Sequence, residues 1–336
     1  MLFVWAGFFL LIVILLAIDL GVVNKKSHAI SMREAVRASI VWISIGLSFS
    51  GVVYLVYHFH WGDLGVGGHI DGLQATSEYV TAYLVEKSLS VDNIFVIAML
   101  FRYFKVPATY QHRVLYWGIL GAIVFRGVMI AAGTALVSSF DWIFYIFGAV
   151  LVLTAYKMLF GGDEEPDVEN SRLVRWMRKI LPISEGYDGQ NFTTMVDGKR
   201  KFTLLFLALI VIEAMDVVFA VDSIPAIFGF TTESFIVMTS NIFAILGLRS
   251  LYFVVAGAMQ EFHYLKMAVS VILLLVGIKM FVHDLVHVPA GWSLVGVVAI
   301  LGAGIWMSIA KNKREQSAAP SDSDDSPKPG DGPKIR

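Results

Sequence analysis

The chain has 336 residues, is 57% hydrophobic with a mean hydropathy of +0.71, and only 16% of it is charged, well under the quarter usual in soluble domains. That balance excludes an ordinary soluble domain; the net charge of -1 says nothing about nucleic acid, but the basic residues are not pooled into a patch, which discounts that partner. The absence of Cys excludes disulfides, thiolate metal sites and iron–sulfur clusters.

A bilayer crossing needs ~20 mostly apolar residues. The sequence predicts an all-α, polytopic bundle of nine spans, at 2–20, 38–57, 78–101, 114–137, 140–160, 202–228, 234–258, 266–282 and 291–310. Span 1 has no cationic stretch before it, so it reads as a retained span and not a signal peptide; Asp19 lies near its end. Lys25, Lys26, Arg33 and Arg37 follow, while the loop after span 2 has no Lys or Arg. Span 3 contains YLVEKSLSVDNIFVIAML, with Glu86, Lys87, Asp92 and Asn93 inside an apolar run. Arg102, Lys105 and Arg113 precede span 4, which carries Arg126, and span 5 carries Lys157. In the mixed-charge loop 161–201, SRLVRWMRKIL has apolar residues at helical spacing with Arg between, which predicts a short helix on the membrane surface. Span 6 holds Glu213, Asp216 and Asp222; span 7 holds Thr239, Ser240, Asn241 and Arg249; span 8 holds Lys279. The tail 311–336, rich in Pro, Ser and Asp, reads as disordered and cytoplasmic.

Basic and Lys/Arg-free loops alternate without exception, which places the N-terminus outside and the C-terminus in the cytoplasm. Trp5, Trp42, Trp61, Trp142 and Trp292, near span ends or in outer loops, read as interfacial anchors in the lipid bilayer. The histidines stay out of the polar cluster: His58, His60, His69, His283 and His287 fall in outer loops and His28, His112 and His263 on the cytoplasmic side. Walker A, Rossmann and zinc-protease patterns are absent, so the chain does not read as an enzyme.

The chain also repeats itself. EKSLSVDNIFV, from Glu86, aligns with DVVFAVDSIPA, from Asp216; Arg126 aligns with Arg249 and Lys157 with Lys279. Spans 3–5 and 6–8 are then two copies of a three-helix unit. Three crossings is an odd number, so the copies run in opposite senses and form an inverted repeat, an arrangement that in transporters places the site near the midplane.

A charge at the bilayer centre costs about 2.5–3.5 kcal/mol on insertion scales. Glu86, Asp92, Glu213, Asp216 and Asp222 therefore need compensation, from Arg126, Lys157, Arg249 and Lys279 or from a bound cation. In the first case the charges are interhelical ties only. In the second, the carboxylates with Asn93 and Ser223 form an all-oxygen set suited to Mg2+, Ca2+ or Mn2+. Glu86 and Asn93 share a helix face, as do Asp216 and Ser223, whereas Asp92 and Asp222 lie about 120° away. Those two converge only if the helices unwind. The expectation is a break at Asp222 to Pro225, where proline removes a donor, and a milder irregularity at Ser90 to Asn93.

LVEKSLSVDNIFV, VIEAMDVVFAVDSIPAIFG, NIFAILGLRSLYF and AIDLGV resemble the signatures of the TerC family of bacterial integral membrane proteins, over about residues 1–310. The family was named for tellurium resistance; members are similar to manganese exporters, and relatives act in thylakoid membrane assembly. The resemblance implies Mn2+ efflux across the bacterial plasma (inner) membrane through Glu86, Asp92, Glu213, Asp216 and Asp222, with Mn2+ as cargo and no permanently bound cofactor. A carboxylate-lined path independently disfavours tellurite, an anion. The leading expectation is a secondary Mn2+ exporter that exchanges with protons or is driven by them. The alternatives are a membrane-assembly or stress-response scaffold with protein partners on loop 161–201 or the tail, and a proton or Na+ exchanger.

Overall fold

A computed structural model describes residues 1–19, 31–66, 70–161, 172–184, 186–257, 264–282 and 288–318. In chain order the helices are α1 (Leu2–Ile18), α2 (Met32–His58), α3 (Gly72–Tyr103), α4 (Ala108–Ser139), α5 (Ile143–Phe160), α6 (Arg172–Ile180), α7 (Leu204–Phe228), α8 (Ser234–Leu246), α9 (Leu248–Gly257), α10 (Leu265–Phe281) and α11 (Ala290–Ala318). A short hairpin, β1 (Thr193–Val196) with β2 (Lys199–Phe202), stands between α6 and α7.

Every apolar stretch read from the sequence falls on a helix. Among the described residues, α2, α4, α5, α7 and α11 are long and apolar enough to cross a membrane, and the bent pair α8–α9 makes a sixth. α1 and α10 have 17 residues each, and the apolar run of α3 is interrupted by Glu78, Glu86, Lys87 and Asp92. Length and apolarity thus support six crossings of the nine expected.

The expected helix breaks are not where the sequence suggested. α7 is continuous from Leu204 to Phe228 with Pro225 inside it. The proline forfeits one ladder bond, but it sits in the last turn, where Gly229 N–H still bonds the Pro225 carbonyl at 3.1 Å and the segment Ser223 to Phe228 is buried. α3 is likewise unbroken through Ser90 to Asn93.

The interruption lies instead at Gly247, where α8 and α9 meet at 48°. Lys87 Nζ donates to the Ala244 carbonyl at 2.9 Å, supplying a donor to the last turn of α8, where carbonyls lack helical partners. A side chain at 247 has no room: a Cβ there would stand 2.6 Å from Lys87 Nζ and 3.1 Å from Trp42 Cβ.

Packing of the helices follows small residues and aromatic rings. α5 and α10 approach closely at Gly148 and Gly277, where an added Cβ on either would lie 3.0 Å or 2.9 Å from the other's carbonyl oxygen. α3 packs on α8 and α4 on α7. One apolar cluster fills the space among α3, α4, α5, α7 and α10; a second joins α1, α2, α3 and α8 through Phe8, Phe49, Phe235 and Phe243. Trp42 is buried in that second cluster, so it is a core residue and not an interfacial anchor, whereas Trp61, Trp142 and Trp292 are exposed.

Within 161–201, the described residues 172–184 and 186–201 carry regular structure. The surface helix expected at Ser171 to Leu181 is α6, with Trp176 and Ile180 exposed and Val174 buried. The hairpin departs from the all-α expectation; its signal is Asp197-Gly198, whose φ angles of 53° and 73° suit a primed two-residue turn. Tyr187 donates its hydroxyl to the Phe104 carbonyl at 2.5 Å, and Arg113 lies 5.0 Å from the centre of the Phe192 ring. These contacts dock the loop on the ends of α3 and α4. The tail boundary also moves. α11 runs past Lys311 to Ala318, because Lys, Arg, Glu, Gln and Ala continue a helix well until Pro320 approaches. The rest of the tail, 319–336, lies outside the described residues.

Candidate functional site

Unbroken helices fix which acids meet. On α7, Asp216 and Ser223 share a face; on α3, Glu86 turns toward them; Arg126 enters from α4 and Asn241 from α8. Arg126 is 0% exposed and joins all four. Its Nε donates to Asp216 Oδ2 at 3.0 Å and its Nη2 to Asp216 Oδ1 at 2.9 Å, the bidentate fork that fits a carboxylate. Its Nη1 donates to Glu86 Oε1 and reaches Ser223 Oγ at 3.4 Å and Asn241 Oδ1 at 3.5 Å. Two carboxylates thus share one guanidinium, leaving an excess negative charge. Glu86 Oε2 is buried without a hydrogen-bond partner.

Glu213 stands one turn before Asp216. Its Oε2 is also buried and unpartnered. Room for it comes from two glycines on α4. A Cβ on Gly121 would collide with the Glu213 carboxylate, whereas one on Gly118 would lie 3.8 Å from Glu213 Oε1. A cavity of about 40 Å3, lined by Gly118, Glu213, Asp216, Arg249 and Tyr252 among others, adjoins this groove; a water-sized guest needs less than that.

The other residues singled out in the sequence lie elsewhere. Asp222 Oδ1 accepts from Thr154 Oγ1 at 2.8 Å, with Lys157 in electrostatic reach. Asp92 is half-buried with its Oδ2 enclosed and unpartnered, Lys266 being within electrostatic reach, and Asn93 is buried with its Nδ2 unpartnered. Both carboxylates stay off the Arg126 site because the helices keep their regular turn. Thr239 and Ser240 bond their own helix, at the Phe235 and Val237 carbonyls. Arg249 forms an ion pair with Asp19, tying α9 to the end of α1. Lys279 reaches Ser293 Oγ at 3.3 Å and lies 5.4 Å from the Phe230 ring centre. His58 stacks on Tyr54 and His60 bonds the Leu64 carbonyl; His28, His69, His263, His283 and His287 lie outside the described residues. Among the described residues, no three His, Asp or Glu side chains converge closely enough to hold a metal.

Sequence reasoning missed three participants: Lys87 as the donor at the α8 terminus, Gly247 as the bend, and Gly121 as the floor beneath Glu213. Gly118 and Gly121, three apart in an apolar span, are a readable sign of close approach on one helix face.

The chain is similar to known proteins over most of its length. The family described as Integral membrane protein TerC family matches residues 71–317. An uncharacterized membrane protein of Myxococcus xanthus, STKORF319, is 43% identical over 324 residues, covering 96% of each chain. The Escherichia coli K12 protein Alx, named as a candidate membrane-bound redox modulator, is 45% identical over 298 residues, covering 88% of this chain and 91% of its own. An uncharacterized membrane protein of Rickettsia bellii is 40% identical over 307 residues, 91% of this chain and 97% of its own. No solved structure matches the chain.

Proposed function

The chain belongs to the TerC family of integral membrane proteins, and from that premise we propose that it exports divalent cations, foremost Mn2+, across the bacterial inner membrane. The observation that carries this reading is the pair of carboxylates, from two different helices, drawn to one buried guanidinium beside a third carboxylate with an unpartnered oxygen. A side-chain cation here fills the place of a mobile one. In the proposed cycle a metal ion enters beside Glu213, Asp216 exchanges Arg126 for the ion, and Glu86 and the Ser223 and Asn241 oxygens complete the oxygen shell with water. Hard oxygen donors suit Mn2+, Mg2+ and Ca2+ alike, and the family likeness favours Mn2+. Glu213 is the group placed to take up a proton when the ion leaves, which gives proton coupling. Asp92 and Asp222, held near Lys266 and Lys157, serve as flanking stations on the way in and out.

In this reading the chain crosses nine times, with its N-terminus outside, as loop charges require. The packing supports an inverted repeat: α3 on α8 is matched by α4 on α7, while α5 packs on α10. That is the exchange of neighbours a pseudo-two-fold axis generates. The name of Alx brings redox control into view; with no Cys, this chain offers no thiol relay of its own. The scaffold reading draws on the docked loop, whose Trp176, Ile180 and Met195 are exposed.

Inside-out vesicles holding a Mn2+-sensitive dye separate these readings. The exporter reading expects uptake by the wild type, at least a tenfold loss in Glu86→Gln and Asp216→Asn, and retention when the α6–hairpin loop is deleted. The reverse pattern establishes the scaffold.

A further inference from the structure

The end of the bundle where α3 begins and α7 and α10 finish holds a second polar chamber, a cavity of about 440 Å3. Its wall carries Gln74, Glu78, Thr231, Glu233 and Lys279. None of these belongs to the Arg126 site; Glu78 precedes Glu86 on α3 by eight positions, roughly 12 Å along the helix. Glu78 is 6% exposed, and its carboxylate accepts from Gln74 Nε2 at 3.0 Å, with Thr231 on the same wall. Glu233 Oε2 accepts from the Tyr57 hydroxyl at 3.1 Å, and the same phenol lies in the field of Glu78. The two carboxylates therefore line one cavity within electrostatic reach of each other. Lys279 is the cation on the wall; it rests on Ser293 and the Phe230 ring and forms no salt bridge with either acid.

Two acids and one ammonium leave the chamber with an excess negative charge. Its donors are two carboxylates, an amide and hydroxyls, all oxygen ligands of the kind hard divalent ions bind. The volume far exceeds that of a bare ion and has room for its water shell, six waters taking roughly 180 Å3 at ~30 Å3 each; carboxylate ligation replaces part of that shell. The ammonium shares the chamber without neutralising an acid by direct contact, so it repels a guest while the carboxylates attract it. We infer that this cavity is a binding station for a partly hydrated divalent cation, with Glu78 and Glu233 as ligands and Lys279 as a tethered counter-charge that keeps occupancy weak. As the exit of an ion path the station rests on the proposed export function; as a binding site it does not.

The test uses the full-length protein in nanodiscs and Mn2+ alone, following bound ion by loss of the free Mn2+ resonance signal. The double variant Glu78→Gln/Glu233→Gln is expected to weaken this class of binding at least tenfold. Lys279→Met is expected to tighten it by about tenfold, the effect of removing one like charge at close range in a partly screened site. Opposite signs from two variants on one wall are not produced by general damage to the fold. Mn2+ binding that is unchanged or weaker in Lys279→Met overturns the inference, and that variant decides should the double variant not fold. Absence of Mn2+ uptake by wild-type vesicles, together with opposed binding shifts here, sinks the export reading and leaves this site standing.

Discussion

Arg126→Gln is the sharpest perturbation the structure offers. The guanidinium is wholly buried and holds two carboxylates from two helices. Removing one partner of a buried ion pair costs ~3–5 kcal/mol, because the other charge stays behind uncompensated. Two acids lose their partner here, so one pair's cost is the lower bound. At ~2.1 cal/mol/K per residue a chain of 336 residues shifts by roughly 1.4 °C per kcal/mol, so one pair's cost lowers Tm in detergent by ~4–7 °C, followed by tryptophan fluorescence. The triple variant Glu86→Gln/Arg126→Gln/Asp216→Asn removes all three charges, the two acids at nearly constant shape and the arginine with the same truncation as in the single variant. It should recover most of that loss, since neutral replacements of buried charge sets are often tolerated. If the triple variant melts as low as the single one, the loss comes from packing and the electrostatic account of the site is wrong. Mn2+ adds a second arm. An ion that takes the guanidinium's place should raise the Tm of Arg126→Gln more than that of the wild type, by up to ~2.7 kcal/mol at a hundredfold excess over Kd.

Three further expectations are independent of that one. Gly121→Val drives a side chain into the Glu213 carboxylate and should cut Mn2+ efflux at least tenfold at normal expression, whereas Gly118→Ala, whose Cβ meets Glu213 at 3.8 Å, should retain it. Gly247→Ala presses on Lys87 and Trp42 and should cost ~1–3 kcal/mol; Lys87→Met strips the Ala244 carbonyl of its donor and should cost a similar ~1–3 kcal/mol, both read as Tm. Burial pushes the Tyr187 phenol above its usual range. Its contribution to loop docking is thus complete below about pH 10 and fades as pH rises through the higher folded value. Limited proteolysis of the loop should accelerate there in the wild type and be indifferent to pH in Tyr187→Phe.

Much of this architecture was legible from spacing. The apolar stretches fell on helices because ~20 residues of continuous apolarity leave few other solutions in lipid. The face-sharing of Asp216 with Ser223 held because it assumed only 100° per residue. The break at Asp222 to Pro225 failed because proline's lost bond matters less in a last turn that is packed on all sides, a property of neighbours and not of the segment. Gly247 was invisible for the complementary reason: a single glycine in an apolar run says nothing until Lys87, distant in sequence, is found beside it. The sharing of Arg126 by both acids, and the pairing of its sequence counterpart Arg249 with Asp19, are likewise choices among partners that only packing decides. The hairpin had a local signal in Asp197-Gly198.

The gap between α8 and α9 has a mechanical corollary. A helix with every rung of its ladder in place bends stiffly along its whole length; one with a missing rung concentrates flexure there. Asn241 lies on one side of residue 247 and Arg249 with Tyr252 on the other. The 48° bend at residue 247 therefore divides the rod into an arm that touches Arg126 and an arm that pairs with Asp19, so a change of angle there turns one arm without unwinding the other.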